Sequence, residues 1–294
     1  LNTNLEFSED SVKGKFVYSR PNFAYTDNTL FTSLEATSSD LLTDFGYKVS
    51  KNSFSLGTRF EQFENLFFNP ELSISFEDLE TNASASKQLR KQEGSYEDLN
   101  FNYSLSYDLR NSKFRPSSGN VTTFFQELPV VSDNNEISNT FTYSQYKMLN
   151  SANNMIGKAS VYLKAVNSID DSDVRISKRA FIPYNRLRGF EKGKIGPLDN
   201  NDYIGGNYIS TLNLSTNLPE ILNTVENIDF NYFIDVANVW GVDYDDTIDD
   251  SNKIRSSTGI GVDVLTPIGP LSFSFSKAIT KKSTDKTETF RFNL

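Results

Sequence analysis

The chain of 294 residues is long enough for one large all-β domain or two ordinary ones, and it is 37% hydrophobic with a mean hydropathy of -0.46 and a net charge of -9. It has no cysteine and no histidine, which excludes disulfides, thiolate nucleophiles, Cys-type zinc and any catalysis that relies on an imidazole base. The acidic balance also sets nucleic acid aside, since phosphate binding rests on Lys and Arg, and no apolar run approaches the roughly 18 residues of a membrane-spanning helix.

A membrane barrel fits the same numbers, because alternate residues of its strands face a polar lumen and keep mean hydropathy low. The 24 Phe and 14 Tyr against a single Trp suit strands and interfacial girdles. The opening LNTNLEFSED has none of the regions of a signal peptide, so the chain reads as mature, cytosolic or a fragment.

Period-two alternation dominates from the first residue. Leu1, Thr3, Leu5 and Phe7 share a face, as do Leu30, Thr32, Leu34 and Ala36, and then Phe54, Leu56, Thr58 and Phe60. Leu72, Ile74 and Phe76 repeat the pattern, followed by Phe101, Tyr103, Leu105 and Tyr107. From Met155 to Ala165 the apolar set opposes Lys158, Ser160 and Lys164, with Ile156 as an intruder. Phe230, Tyr232, Ile234 and Val236 oppose Asp229, Asn231 and Asp235. Leu271, Phe273 and Phe275 alternate with serines, and Phe290, Phe292 and Leu294 with Thr289, Arg291 and Asn293. Roughly fourteen such segments of bilayer-crossing length predict an all-β, antiparallel up-and-down transmembrane barrel. The competing reading, a soluble sandwich, requires a second sheet over every apolar face.

Residues 80–97 and 243–252 are polar and aperiodic and are expected to be solvated loops, the second acidic enough that calcium is a minor alternative. Between the segments ending near Val166 and beginning near Asn207 lie about forty residues, far above the usual hairpin loop. Phe181, Ile182, Tyr184, Leu187, Phe190, Ile195 and Ile204 supply apolar surface there, and glycines at 189, 193, 196, 205 and 206 allow tight backbone paths.

This stretch carries a family resemblance. RLRGF, residues Arg186, Leu187, Arg188, Gly189 and Phe190, resembles the Arg-Gly-Phe/Tyr motif at the tip of the sixth extracellular loop of the Omp85 superfamily, continued by IGP at Gly196 and GGN at Gly205 and Gly206. FIDVANVW at 233–240 is similar to a strand motif of that family, with Ala237 where glycine is usual. RSSTGIGVDVLTPIGPLSFSFS at 255–276 resembles its penultimate hairpin, YDLRNSKFRPSSGN at 107–120 one of its turns, and FRFNL its terminal strand, so that residues 107–294 hold nearly all the specificity.

The resemblance implies a surface-antigen-type barrel of about sixteen strands, of which residues 1–294 would lack the first two together with upstream POTRA modules. It implies a sixth loop folded into the lumen, with Arg188 against Asp235 on the wall and a second wall position at Asn213, where the family's acid is replaced. The arginines reaching anionic headgroups from an exposed loop is the alternative.

The implied activity is ATP-free folding and insertion of other barrels into the outer membrane of a Gram-negative cell, through a seam bordered by Phe290, Phe292 and Leu294. These side chains would equally face lipid in any barrel. Unfolded outer-membrane β-barrel clients, outer-membrane lipids and, through the POTRA modules, assembly-complex lipoproteins are the implied partners. No cofactor, metal or enzymatic activity is implied. A two-partner secretion transporter or another translocation barrel of the superfamily is the rival, ahead of a passive porin.

Overall fold

The computed structural model describes residues 2–8, 10–152, 154–170, 172–218, 228–244, 247–250, 252–266 and 269–293. Strands are β1 (Asn2–Phe7), β2 (Ser11–Arg20), β3 (Thr29–Leu41), β4 (Tyr47–Phe63), β5 (Leu66–Thr81), β6 (Gly94–Asp108) and β7 (Gly119–Ser132). They continue as β8 (Glu136–Asn150), β9 (Met155–Ser168), β10 (Leu198–Asp199), β11 (Asp202–Tyr203), β12 (Tyr208–Asn217) and β13 (Ile228–Trp240). The last three are β14 (Arg255–Thr266), β15 (Gly269–Thr280) and β16 (Phe290–Asn293). Fourteen of them form one antiparallel sheet in chain order, and β10 and β11 form a separate two-stranded hairpin within the long loop.

Register assigns the two faces. Phe54 pairs with Leu34 and Ile74, and Leu56 with Thr32 and Leu72, so these residues share the outer face, where Phe54 and Leu56 stay exposed. Their neighbours Ser55 and Ser75 are buried on the inner face. The same alternation leaves Leu105, Leu163, Leu212, Ile260 and Phe275 exposed on the outside. Isolated exposed apolar residues are ordinary, but a belt running across consecutive strands is far larger than the patches soluble proteins expose, and it matches a bilayer. No second sheet covers it among the described residues, which disposes of the sandwich reading.

Two loops expected to be solvated are largely so, but each sends a few residues inward. The connection after β5 contains a single helical turn, α1 (Lys87–Arg90), capped by Ser86, whose hydroxyl accepts from the Leu89 backbone N–H at 3.0 Å. Leu89 and Ala85 are buried there against Phe45, Tyr47 and Ile204. In the acidic connection after β13, Tyr244 packs on the same cluster and the Asp243 carboxylate accepts from Asn207 at 2.9 Å. Burial pushes the Tyr244 hydroxyl's pKa up, reinforced by its hydrogen bond to Asp199. Polar composition in both segments concealed a few apolar residues that meet the long loop.

Lipid and lumen faces differ in what they tolerate. Leu212→Arg on the outer face of β12 should destabilise the barrel by about 2–4 kcal/mol in reversible unfolding from lipid bilayers. Lys158→Gln on the inner face of β9 should shift the same transition by less than about 1 kcal/mol.

Candidate functional site: a loop docked in the lumen

Residues 169–170 and 172–207 connect β9 to β12 and turn inward. The segment is held first by apolar contact. Ala180, Ile182, Leu187, Phe190 and Ile195 of the loop form one buried cluster with Ile209, Ala237 and Val239 of β12 and β13. Those three wall residues stand on the inward register, where a water-filled lumen would call for polar side chains, and they are apolar because the loop covers them.

At the tip, Arg188 Nε and Nη2 donate to Asp235 Oδ2 and Oδ1, each at 2.8 Å, and its backbone N–H donates to Oδ2 at 3.1 Å. Asp235 is fully buried, whereas the Arg188 side chain is 21% exposed on the cavity side. The guanidinium carbon lies 3.3 Å from the Phe233 ring centroid, so the cation has a carboxylate at its edge and an aromatic face beneath it.

Asn213 does not touch the guanidinium. Its Nδ2 donates to Asp235 Oδ1 at 2.8 Å and to the Arg186 carbonyl at 2.7 Å. It therefore orients the carboxylate and secures the loop backbone without adding a second charge. Arg186 stacks over Tyr162 at 5.5 Å. Neither arginine extends to an outer surface, which removes the headgroup alternative.

Gly189 has φ of 89°, and a Cβ there would lie 3.2 Å from Ser257 Cβ on β14, so both backbone conformation and space select glycine. At Gly206 a Cβ would sit 2.4 Å from the Trp240 carbonyl oxygen, and this residue bridges to Ala180. Gly196 and Gly205 press against Val239 and the Ala180 carbonyl in the same way.

Sequence reasoning missed a second anchor on the opposite wall. The stem VRISKR, 174–179, brings Arg175 Nη2 to Asp98 Oδ2 at 2.6 Å, with Glu77 and Glu136 at 3.6 and 3.9 Å and the Tyr96 ring centroid at 4.2 Å. Lys178 Nζ donates to Glu127 at 2.6 Å, and Arg179 pairs with Asp243. The acids facing Arg175 and Lys178 come from β5, β6, β7 and β8, and Asp243 from the connection after β13, so one basic run gathers four strands and a loop. A signal was present, in a basic run inside the loop and inward-facing acids on separate strands, but only tertiary register connects them. Farther along, Lys194 donates to Asp44 at 2.9 Å; that hydrogen bond is the main cause of the raised pKa of its ammonium group.

Phe290 and Phe292 point outward beside Phe275 and Phe273 at 5.1 Å each. Leu294 lies outside the described residues. The terminal strand begins at Phe290, and residues 286–288 ahead of it pair with the loop.

A barrel wall with a basic loop strapped across its lumen defines an integral outer-membrane β-barrel, and the whole chain, residues 1–294, matches the Omp85 superfamily domain. The chain belongs to the Omp85 superfamily. The outer membrane protein assembly factor BamA of Neorickettsia risticii (strain Illinois) is 31% identical over 124 residues, covering 41% of this chain and 16% of that protein. BamA of Neisseria meningitidis serogroup B is 27% identical over 135 residues, 37% of this chain and 17% of its own length. These matches therefore span less than a fifth of either relative. Among solved structures, BamA from Haemophilus ducreyi lacking POTRA domains 1–3 superposes with a TM-score of 0.88 at 24% identity, covering 99% of this chain and 63% of that one. CdiB from Acinetobacter baumannii aligns more distantly, with a TM-score of 0.56 at 10% identity over 97% of this chain and 57% of its own.

Removing the tip cation strands a buried carboxylate. Arg188→Ala should cost about 3–5 kcal/mol in unfolding from bilayers, whereas Arg186→Ala, which loses a ring contact, should cost about 1 kcal/mol or less.

Proposed function

We propose that this chain is the barrel of an outer-membrane protein assembly factor, which folds and inserts other β-barrels through the edge of its terminal strand, without nucleotide or covalent chemistry. The likeness to BamA proteins supports the reading, and the observation that carries it is how the chain enters the last strand: residues 286–288 hydrogen-bond to the long loop, and pairing with β15 begins only after them. Among the described residues β16 pairs with β15 from Phe275–Phe290 to Ser272–Asn293.

The mechanism follows from backbone chemistry. Unpaired N–H and C=O groups in hydrocarbon each cost several kcal/mol. A strand edge that parts from its neighbour exposes such groups, and an incoming strand that takes the neighbour's place recovers the lost hydrogen bonds. Each added client strand leaves a new edge, so insertion proceeds strand by strand. The inner arginines act structurally, holding the loop so that the lumen wall stays rigid while the edge exchanges partners.

The proposal extends to the remainder of the molecule. Upstream POTRA-type modules would deliver unfolded barrel clients and contact assembly-complex lipoproteins, additional strands would complete the barrel beyond β1, and the outer apolar belt would contact outer-membrane lipid. Phe290 and Phe292 would border the seam on its lipid side.

Liposome reconstitution of the full chain checks this reading. The protein should accelerate insertion of an urea-unfolded barrel client. In the cysteine-free background, Phe292→Cys should form a disulfide with a cysteine in the client's terminal strand during insertion. Insertion at the uncatalysed rate, with no crosslink, would contradict the proposal.

A further inference from the structure

We propose that Arg291 is a positioning residue that latches the terminal strand to the docked loop, so that loop docking and the order of β16 are energetically coupled. Arg291 is the inward residue of β16 and is buried. Its guanidinium donates to the Tyr184 carbonyl, to the Phe190 carbonyl and to the Glu288 carboxylate. One carbonyl precedes the tip motif and the other belongs to its last residue. Thus one side chain of the last strand reads the backbone position of the loop on both sides of Arg188.

The segment leading into β16 is attached to the same loop. Lys286 N–H donates to the Lys194 carbonyl at 3.0 Å, Glu191 N–H to the Lys286 carbonyl at 3.1 Å and Glu288 N–H to the Gly189 carbonyl at 3.2 Å. These bonds run antiparallel, 189 to 194 against 288 to 286, like a short strand pair across the lumen. Tyr203 of the loop also donates to the Thr284 carbonyl at 2.7 Å. Asp285 is held from the wall by a two-point contact with Arg255, at 3.0 Å from both Nε and Nη2.

Coupling follows from where these partners are fixed. Phe190 is 1% exposed within the cluster beneath the loop, and it lies two residues from the Arg188–Asp235 contact. The carbonyls that Arg291 needs are therefore in place only while the loop is docked. Undocking would leave the guanidinium without its loop partners inside the barrel, with the ladder to β15 as the attachment that remains among the described residues. By linkage the effect is reciprocal, and loosening β16 weakens the loop. The inference goes beyond the assembly reading and stands without any client.

Hydrogen exchange of the full chain in bilayers, with no client present, tests it. Arg291→Gln should lower amide protection about tenfold in two separated regions, 284–292 and 184–194, while the β8–β9 ladder is unchanged; Arg291→Lys, able to donate but not to span both carbonyls, should restore part of that protection. Arg188→Ala should lower protection in 286–292 as well as in the loop. A second route covers the case in which Arg291→Gln does not fold: a disulfide from Lys194→Cys with Lys286→Cys should form on oxidation and return protection to 286–292 in the Arg188→Ala background. Exchange that rises in the terminal strand alone for Arg291→Gln, or in the loop alone for Arg188→Ala, or a disulfide that forms without restoring protection, would overturn the latch. Intact coupling with no client insertion would count against the assembly reading only.

Discussion

A carboxylate without access to water governs the interior of this barrel. Asp235 stands on the inner face of β13 with no exposed surface, and in such a site an unpaired charge costs several kcal/mol. The chain supplies the matching cation from far away in sequence, at the end of a loop that must enter the lumen to deliver it. Much else follows from that requirement. The loop needs apolar ballast, which Leu187, Phe190 and Ile195 provide, and the wall beneath it has to be apolar at Ile209, Ala237 and Val239. Close approach then leaves no room for a side chain at Gly189.

The loop is fastened on two sides. Its tip meets β12 and β13 through Asn213 and Asp235, and its stem meets β5 to β8 through Arg175 and Lys178. A sheet of fourteen strands has many ways to flex, and a strap joining distant strands removes some of them. The terminal strand is treated differently, paired with β15 while the segment leading into it is hydrogen-bonded to the loop. The loop therefore contacts both the distant wall and the end of the sheet.

Legibility in the sequence tracked the range of each interaction. The outer belt is a local, period-two property, so Phe54 against Ser55 or Phe273 against Ser274 could be sorted by eye, and the strands and their order followed. Asp235 could be placed inward by the same alternation, and the position of Arg188 came from the tip motif. Partners separated by many residues were not legible. Nothing local distinguishes Asp98 as the acceptor of Arg175, or Asp285 as the partner of Arg255, because each pairing depends on how strands are ordered around the wall. Arg291 was concealed within its own alternation, where an inward polar residue is ordinary. Residues 80–97 read as solvated because Leu89 is one apolar residue among polar ones, and its burial depends on Phe45 and Ile204 from two other loops.

The account rests on the energy with which the loop tip holds the wall, and a double-mutant cycle measures that energy directly. Arg188→Ala, Asp235→Ala and the double variant would be compared with the parent by reversible unfolding in bilayers. Strong coupling, on the order of 2–3 kcal/mol, is the predicted result, with the double variant less damaged than the sum of the singles. Additive losses within about 0.5 kcal/mol would contradict it, because the two groups would then contribute independently and the loop would be held in the lumen by something else.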